Sequence, residues 1–450
     1  MTLLGHLRLA DPARLALATE DARLSYGELT ARAGALREAL AGLRGARLFL
    51  NLADPMAAVL ALAALDGLAG ALVLSSPALD AEDVTVLAAQ AGADAILSER
   101  ADLGTDLPVL ADAATLAGLA LPRRDIARSD WVMTTSGTTG QPKLVAHGLE
   151  SLTRTTRRDQ DRGRGQVWGL LYDYSRFAGL QVLLQGLLSG AALALPAVSL
   201  PLEARLAFLV RAGVTHLSAT PTLWRKMLMT PGSEALALAQ ITLGGEIADD
   251  AVLAALARRW PAARISHVFA STEAGVGFSV TDGRAGFPGT YLDAPPQGIG
   301  LRVTEGRLFI RNDLVGPDYL GGQGALAQGG WVDTGDAVRV VGGRVLFQGR
   351  SNGVINVGGD KVHPEEVEAA ILAHPGVGMA RVYGRRNPIV GALVAADILP
   401  AAGISDPKAL QAELKSFLAG RLARHQVPAL IRMVDSFETN AAGKLTRGKE

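Results

Sequence analysis

Residues 134–143 read TTSGTTGQPK and directly follow the apolar residues Trp131, Val132 and Met133. Glycine lets backbone N–H groups approach an anion where a Cβ would block them, and the serine and threonine hydroxyls add further donors. Lys143 ends the stretch with a compact positive charge. The spacing differs from that of a Walker loop, because two residues separate Gly140 from Lys143. Composition alone therefore leaves two interpretations open, a phosphate-binding loop and a polar surface turn.

Four more segments with distinctive residue patterns follow this stretch along the chain. They read FASTE at 269–273, WVDTGD at 331–336, GRSN at 349–352 with VGGDKVHPEEVE at 357–368, and GKLTR at 443–447. Together with residues 135–143 they resemble, in order, the signature segments of the adenylate-forming superfamily. That superfamily includes acyl- and aryl-CoA synthetases, adenylation domains of nonribosomal peptide synthetases, and luciferases. Five ordered matches make a chance similarity very improbable, although the resemblance is thinner before residue 130.

Length and composition agree with an enzyme of more than one domain. A chain of 450 residues exceeds the usual size of a single hydrophobic core. Lys plus Arg and Asp plus Glu both number 44, so charge gives no reason to expect nucleic acid or an anionic membrane as a partner. The absence of cysteine excludes disulfides, thiolate metal sites and a cysteine nucleophile. Residues 1–10 show no secretion signal, and we expect a cytoplasmic protein.

The hydrophobic pattern predicts an α/β fold. Helical periods alternate with short apolar runs such as 46–51, 71–74, 94–97 and 214–218, which is typical of βαβ units and parallel sheets. Short strands with glycine turns follow from about residue 301. Two apolar stretches, 57–74 and 177–196, approach the length of a membrane span, but polar residues and glycines interrupt both, so no membrane span is expected.

The resemblance supplies the domain boundary. It implies that residues 1–349 form an N-terminal domain of parallel-sheet layers with a small β-rich subdomain. Residues 350–450 then form a small, mobile α+β domain that carries the catalytic lysine. Asn352 would be the hinge, at a position where aspartate or lysine is more usual.

The resemblance also implies a reaction in which a carboxylic acid attacks the α-phosphate of ATP with Mg²⁺ as cofactor. Phe269 would lie against adenine, Thr272 beside the phosphates and Glu273 on Mg²⁺, while Asp336 would accept the ribose hydroxyls and Arg350 would face the nucleotide. The residues expected at the ATP and AMP site are Thr135, Ser136, Gly137, Thr138, Thr139, Gly140, Lys143, Gly245, Glu246, Phe269, Ala270, Ser271, Thr272, Asp336 and Arg350.

Lys444 is the leading catalytic candidate, together with Thr272 and Glu273. In the family this lysine contacts both the carboxylate and the α-phosphate and neutralises charge as the two anions meet. A lysine so near the end of a chain is otherwise a solvated charge. Its neighbours Gly443 and Arg447 favour the catalytic interpretation, whereas Glu438 departs from the family pattern, which commonly has proline there.

The second half-reaction is expected to use Gly358 and Gly359. In the family the corresponding loop lines a tunnel for the thiol of CoA or of a carrier-protein phosphopantetheine, and glycines leave room in such a wall. The acceptor would thus be CoA or an acyl or peptidyl carrier protein.

The acid pocket is harder to assign. The positions expected to surround the substrate are Tyr172, Asp173, Arg176, Phe177, Thr220 and Gly244. Residues 171–177 read LYDYSRF, which lacks the Pro-Leu-aromatic-His pattern of many acyl-CoA synthetases. The segment is closer to the aromatic-Asp-x-Ser pattern of amino-acid adenylation domains, in which the aspartate pairs with the substrate ammonium. The alternative is that Asp173 or Ser175 caps a helix that begins near Phe177.

Three functional hypotheses follow. The first is an ATP-dependent ligase that joins a small carboxylic acid to the thiol of CoA or phosphopantetheine through an acyl-adenylate. The second is a stand-alone enzyme that adenylates an amino acid for a carrier protein. The third is a catalytically silent nucleotide-binding homologue, against which the presence of Lys143, Glu273, Asp336 and Lys444 argues.

Overall fold

The computed structural model describes residues 1–100, 102–110, 121–135, 143–316, 319–320, 324–387, 391–439 and 444–445, with the main chain alone at residue 297. The strands in chain order are β1 (Leu15–Ala18), β2 (Arg23–Ser25), β3 (Arg47–Asn51), β4 (Ala71–Leu74), β5 (Ala95–Ser98), β6 (Val109–Leu110), β7 (Asp130–Thr135), β8 (Lys143–His147), β9 (Val167–Leu170), β10 (Ala192–Ala194), β11 (His216–Ala219), β12 (Gln240–Gly244), β13 (Arg264–Ser271), β14 (Gly275–Val280), β15 (Phe287–Pro288), β16 (Gly300–Thr304), β17 (Arg307–Arg311), β18 (Val332–Val341), β19 (Arg344–Arg350), β20 (Ile355–Val357), β21 (Asp360–Val362), β22 (Val377–Asn387), β23 (Gly391–Pro400) and β24 (Leu430–Met433). The helices are α1 (Leu3–Leu7), α2 (Tyr26–Ala39), α3 (Pro55–Leu65), α4 (Ala81–Gln90), α5 (Leu149–Leu152), α6 (Phe177–Leu188), α7 (Leu202–Arg211), α8 (Pro221–Met229), α9 (Asp250–Arg259), α10 (Thr290–Asp293), α11 (Pro364–Leu372) and α12 (Pro407–Ala419).

Two large, mainly parallel sheets form most of the first 280 residues. One has the order β6-β5-β3-β4-β7-β8 and the other β14-β13-β12-β11-β9-β10-β1-β2. Among the described strands of these two sheets, antiparallel pairs occur only at edges, namely β7–β8, β13–β14 and β1–β2. Every residue of β4 is buried, as expected for a strand whose sheet is covered on both faces. The prediction of parallel sheets built from βαβ units is confirmed.

Helices cover these sheets on both faces. Side chains from α1, α2, α3 and α6 share one core with residues of both sheets, and α7, α8 and α9 cover the opposite face of the larger sheet. The two stretches of membrane-span length divide into α3 with β4 and α6 with β10. In the part of the chain that the structure describes, no helix is long and apolar enough to span a bilayer.

A third, antiparallel sheet occupies residues 287–350, in the order β15-β19-β18-β17-β16. Its core contains an aromatic cluster in which the ring of Phe278 lies 4.6 Å from that of Phe287, centroid to centroid. The strands β18 and β19 bring Asp336 directly opposite Arg350. This register places residues of two consecutive motifs side by side.

The chain after Arg350 forms a last sheet, in which β21, β20, β23 and β22 are neighbours and β24 pairs with β23. Helices α11 and α12 pack on this sheet around their own hydrophobic core. Asp397 on β23 is fully buried and accepts hydrogen bonds from Arg381 at 2.6 Å and from Arg432 at 2.8 Å. These two arginines hold the pKa of Asp397 below its usual range despite burial, so the carboxylate is ionised and ties β22, β23 and β24 together.

Candidate active site

A cavity of about 480 Å³ lies where the larger parallel sheet, the third sheet and the last part of the chain meet. Its walls include the N-terminal turn of α8 and residues of α11 and β22. The predicted site residues in its lining are Gly245, Glu246, Phe269, Ala270, Ser271, Asp336, Arg350 and Lys444. Segments separated by up to about two hundred residues along the chain therefore meet around one space.

Asp336 and Arg350 form an ion pair on one wall of the cavity. The Arg350 Nε lies 3.3 Å from Asp336 Oδ1, and the guanidinium also donates to the carbonyl of Thr334. Only 14% of the Asp336 side chain is exposed, and burial raises the pKa of this carboxyl while Arg350 and Lys444 oppose the rise. The pair presents a positioned carboxylate to any hydroxyl that enters the cavity.

Lys444 reaches the cavity rather than solvent. A Cβ placed on Gly245 would lie 3.4 Å from Lys444 Cε and 3.9 Å from Lys444 Nζ, so the lysine passes directly over this glycine. Gly245 has a φ of +80°, a conformation that L-residues rarely adopt. Burial lowers the pKa of Lys444, while the negative charges of Glu246 and Asp336 partly oppose this effect.

Glu246 and Thr220 organise the start of α8 beside this lysine. The Glu246 carboxylate accepts the backbone N–H of Thr222 at 3.0 Å, and the hydroxyl of Thr220 accepts that of Leu223 at 3.0 Å. Two otherwise unpaired donors of the helix N-terminus are thereby satisfied. Thr220, predicted in the acid pocket, is fully buried as this helix cap.

Phe269 has aromatic neighbours within the protein. Its ring is nearly parallel to those of Phe347 and Phe278, with centroid distances of 5.2 Å and 5.5 Å. The ring also lines the cavity. The expected contact between Phe269 and adenine stays a prediction.

Lys143 and Glu273 both act on Tyr319, a residue that the motifs did not indicate. The Lys143 ammonium lies 4.4 Å from the centroid of the Tyr319 ring, and the pKa of Tyr319 is raised by burial and by the charge of Glu273. Thr135 pairs with Lys143 across the β7–β8 hairpin. Among the described residues no three His, Asp or Glu side chains converge as metal ligands. The carboxylate of Glu273 and the ammonium of Lys143, both of which act on Tyr319, nevertheless suit a magnesium–phosphate complex, because the phosphates supply further oxygen ligands.

The remaining loop residues predicted to contact phosphate lie outside the described residues. They are Ser136, Gly137, Thr138, Thr139 and Gly140.

His147 is a second residue that sequence analysis missed. Its Nε2 lies 2.8 Å from the carbonyl oxygen of Thr272, and its Nδ1 lies 3.2 Å from the hydroxyl of Ser151. Burial lowers the pKa of His147, so the neutral ring donates from Nε2 to Thr272. This contact fixes the backbone next to Glu273. A lone histidine at the end of a strand carries no motif that would have revealed it.

None of the predicted acid-pocket residues is among the described residues that line the cavity. The Tyr172 hydroxyl is 3.4 Å from the carbonyl oxygen of Gly244, and Phe177 packs 5.8 Å from the His147 ring. Arg176 has one long hydrogen bond, from Nη1 to Thr134 Oγ1 at 3.4 Å, and its Nε is buried with no hydrogen-bond partner among the described residues.

Asp173 does not cap the helix. Helix α6 begins at Phe177 with Arg176 at the N-cap and no side-chain capping bond, so the capping alternative for Asp173 or Ser175 is wrong. Instead Asp173 Oδ1 accepts both the N–H and the O–H of Ser175, at 2.9 Å and 2.7 Å. Asp173 is only 7% exposed, and its Oδ2 is buried with no hydrogen-bond partner in the part of the chain that the structure describes.

Asn352 and the two predicted tunnel glycines lie on the surface. Asn352 is in the exposed turn between β19 and β20. Gly358 and Gly359 form the exposed turn between β20 and β21, with φ values of +62° and +102°. In this arrangement they are not among the described residues that line the cavity.

The cavity thus brings together a lysine, an Asp–Arg ion pair and a glutamate bound to a helix N-terminus at the junction of these sheets. The family model of the AMP-binding enzymes, which are adenylate-forming ligases, matches residues 9–327, and that of their C-terminal domain matches residues 366–444. The chain belongs to the AMP-binding enzyme family, and the predicted superfamily and fold are confirmed.

Known proteins extend this comparison. A probable nonribosomal peptide synthetase (CymA) of Salinispora arenicola is 28% identical over 97% of this chain, which spans only 6% of that protein's length. A feruloyl-CoA synthase of an Amycolatopsis species is 28% identical over 71% of this chain and 68% of its own. The structure of the anthranilate CoA ligase AuaEII with anthranoyl-AMP superposes with a TM-score of 0.82, covering 99% of this chain and 95% of that one at 19% identity. At that identity the superposition supports the fold alone.

Proposed function

We propose that this protein activates a carboxylic acid with ATP, releases pyrophosphate, and transfers the acyl group from the acyl-adenylate to the thiol of CoA or of a carrier-protein phosphopantetheine. The observation that carries the proposal is the position of Lys444, over Gly245 and close to Glu246 and Asp336. An ammonium held there can neutralise the carboxylate and the α-phosphate as they approach each other.

Other predicted site residues would bind the nucleotide, the pyrophosphate and the magnesium ion. Asp336, oriented by Arg350, accepts the ribose hydroxyls and fixes the nucleotide. Lys143, which lies against the Tyr319 ring, binds the pyrophosphate being released, and Glu273, whose charge also acts on Tyr319, would hold magnesium. Magnesium, when bound, would neutralise phosphate charge. In the first step the acid's oxygen forms a bond to the α-phosphorus as the bond to pyrophosphate breaks.

Thiol transfer requires a second arrangement of the last hundred residues. Lys444 occupies the cavity here, while Gly358 and Gly359 lie at the surface. We infer that residues 350–450 are a separate domain that rotates about Asn352, withdrawing Lys444 and bringing the glycine turn to the adenylate. The thiolate sulfur then attacks the acyl carbon, and AMP leaves with the bonding electron pair.

The experiment that tests this function is ATP–pyrophosphate exchange with a panel of aryl, short acyl and amino acids, followed by capture of the product with CoA or with a phosphopantetheinylated carrier protein. Exchange with an acid and a thioester product support the proposal. No exchange with any acid, in a protein that still binds ATP, supports a catalytically silent homologue instead.

One observation favours the second candidate, an amino-acid adenylating enzyme. Asp173 Oδ2 is a buried acceptor that has no hydrogen-bond partner among the described residues, and a substrate ammonium would satisfy it. If so, Asp173→Ala costs on the order of 2 kcal/mol in amino-acid binding, or about 30-fold in KM, because a charged hydrogen bond is lost. The desamino analogue of the same acid should be affected by less than about threefold. Equal effects on both substrates would exclude Asp173 as an ammonium ligand.

A further inference from the structure

Helix α8 joins the cavity to the end of the chain. Its first turn lines the cavity through Pro221 and Thr222, and the N–H of Thr222 binds Glu246 beside Lys444. Its last turn faces the C-terminal sheet, where a Cβ on Gly378 of β22 would lie 2.7 Å from the sulfur of Met229. One rigid element therefore contacts both the reacting centre and the part of the chain that delivers the lysine.

Lys226 makes a polar contact between this helix and that part of the chain. Its ammonium donates to the carbonyl oxygen of Phe437 at 2.8 Å and to the hydroxyl of Thr439 at 3.2 Å. Lys226 is partly buried, and burial lowers its pKa while the charge of Glu438 opposes the shift. Hydrogen bonds from a charged donor are stronger than neutral ones, particularly away from bulk water.

The residues that Lys226 holds are tied to Lys444. Thr439 pairs with Leu445 through an antiparallel bridge, and Leu445 follows Lys444 directly and lines the cavity with it. Restraint on Thr439 is therefore transmitted through one backbone pairing to the residue adjoining the catalytic lysine. A movement that withdraws Lys444 from the cavity has to break the contacts of Lys226 as well.

We propose that Lys226 is a positioning residue that holds Phe437, Thr439 and the paired Leu445 in the adenylate-forming arrangement and so keeps Lys444 in the cavity. This inference rests on the proposed function. Lys226 acts through Lys444 and has no role in thiol transfer, because its contacts are lost when the last domain rotates.

The test replaces the ammonium and keeps the apolar stem, in Lys226→Met, with Lys226→Arg as the conservative variant. Lys415→Met, at an exposed position on α12, is the matched control. We expect Lys226→Met to lower kcat for ATP–pyrophosphate exchange about 10- to 100-fold, with KM for ATP changed by less than about threefold. Transfer of the acyl group from supplied acyl-adenylate should stay within about twofold of wild type, and Lys226→Arg should restore part of the exchange rate.

Two comparisons separate positioning from a general structural effect. Lys226→Met should add almost nothing to the loss already caused by Lys444→Ala, since both changes remove the same interaction. Equal losses in both half-reactions, additive losses in the double variant, or a loss no larger than that of Lys415→Met would overturn the proposal. If Lys226→Met does not fold, Thr439→Val removes one acceptor and should give a smaller loss confined to exchange.

A further measurement requires no turnover. The chain has no cysteine, so two introduced cysteines can carry spin labels without background. Labels at Arg258→Cys on α9 and Ser416→Cys on α12, both exposed, report the distance between the two parts of the protein. With ATP bound, Lys226→Met should broaden the distance distribution, and equal widths would refute the inference. Wild-type protein that shows no exchange with any acid would instead refute the proposed function.

Discussion

Removing the ammonium of Lys444 should slow adenylate formation far more than thiol transfer. The lysine passes 3.4 Å from the Cβ position of Gly245 and is partly buried, so solvent screens its charge only in part. A unit charge about 4 Å from an anionic oxygen at an effective dielectric of about 20 contributes about 4 kcal/mol. Arg350 and Arg176 are close enough to depress the lysine's pKa, and their charges would compensate for part of the loss. We therefore expect Lys444→Ala to cost about 3 kcal/mol, or roughly 10²-fold in kcat.

The assay measures the two half-reactions separately. ATP–pyrophosphate exchange reports adenylate formation, and single-turnover transfer from supplied acyl-adenylate reports thiolation. ATP affinity should change little, because the proposed nucleotide contacts of Asp336 and Arg350 do not require the lysine. Lys415→Ala, on the exposed face of α12, controls for loss of a lysine from the same domain. Equal losses in exchange and in transfer would refute the assignment of Lys444 to the first step alone.

Three other perturbations test separate parts of the structure. Gly359 is an exposed turn residue with a φ of +102°, and Gly359→Trp should slow thiol transfer at least about tenfold while ATP–pyrophosphate exchange stays nearly unchanged. Slowed exchange with normal thiol transfer would exclude this turn from the path of the thiol. Raising the pH should abolish exchange at a pH below the ordinary lysine value of 10.5, because burial lowers the pKa of Lys444 and the rate is full only while the ammonium is charged. Lys444→Ala should lack this alkaline limb, and an unchanged pH profile would assign the limb to another group. Gly349→Ala should reduce stability to thermal unfolding by about 1 kcal/mol more than Gly342→Ala, because both glycines have positive φ but a Cβ at Gly349 would overlap Glu365 Oε2. Equal melting temperatures of the two variants would show that the Glu365 side chain moves aside freely.

Local sequence predicted the layers of this fold well. Strands β3, β4 and β5 were indicated because short apolar runs buried on both faces have few alternatives in an α/β protein. The ordered motifs also placed Asp336 and Lys444 in one site, and the cavity contains both. These features could be predicted because each depends on the residue types within one short segment.

Contacts between distant segments could not be predicted in this way. Tyr319 beside Lys143, His147 on the Thr272 carbonyl and Lys226 on residue 437 all arise from packing over long sequence separations. The interpretation of Asp173 as a helix cap failed for a different, local reason. Its oxygen prefers the nearer donors of Ser175, two residues away, and the helix begins without a side-chain cap.

The ionised Asp397 affects which substitutions could change the relative rates of the two proposed half-reactions. A carboxylate held by arginines on two other strands cross-links the small C-terminal sheet and makes it stiff. A displacement at one edge of the sheet is then transmitted to the other edge rather than lost in internal deformation. Substitutions of the arginines that bind Asp397 would therefore destabilise the sheet before they altered how it moves. Substitutions where this part of the chain meets α8, such as Thr439 or Gly378, would instead shift the equilibrium between the two arrangements proposed above, and with it the balance between making an adenylate and using one.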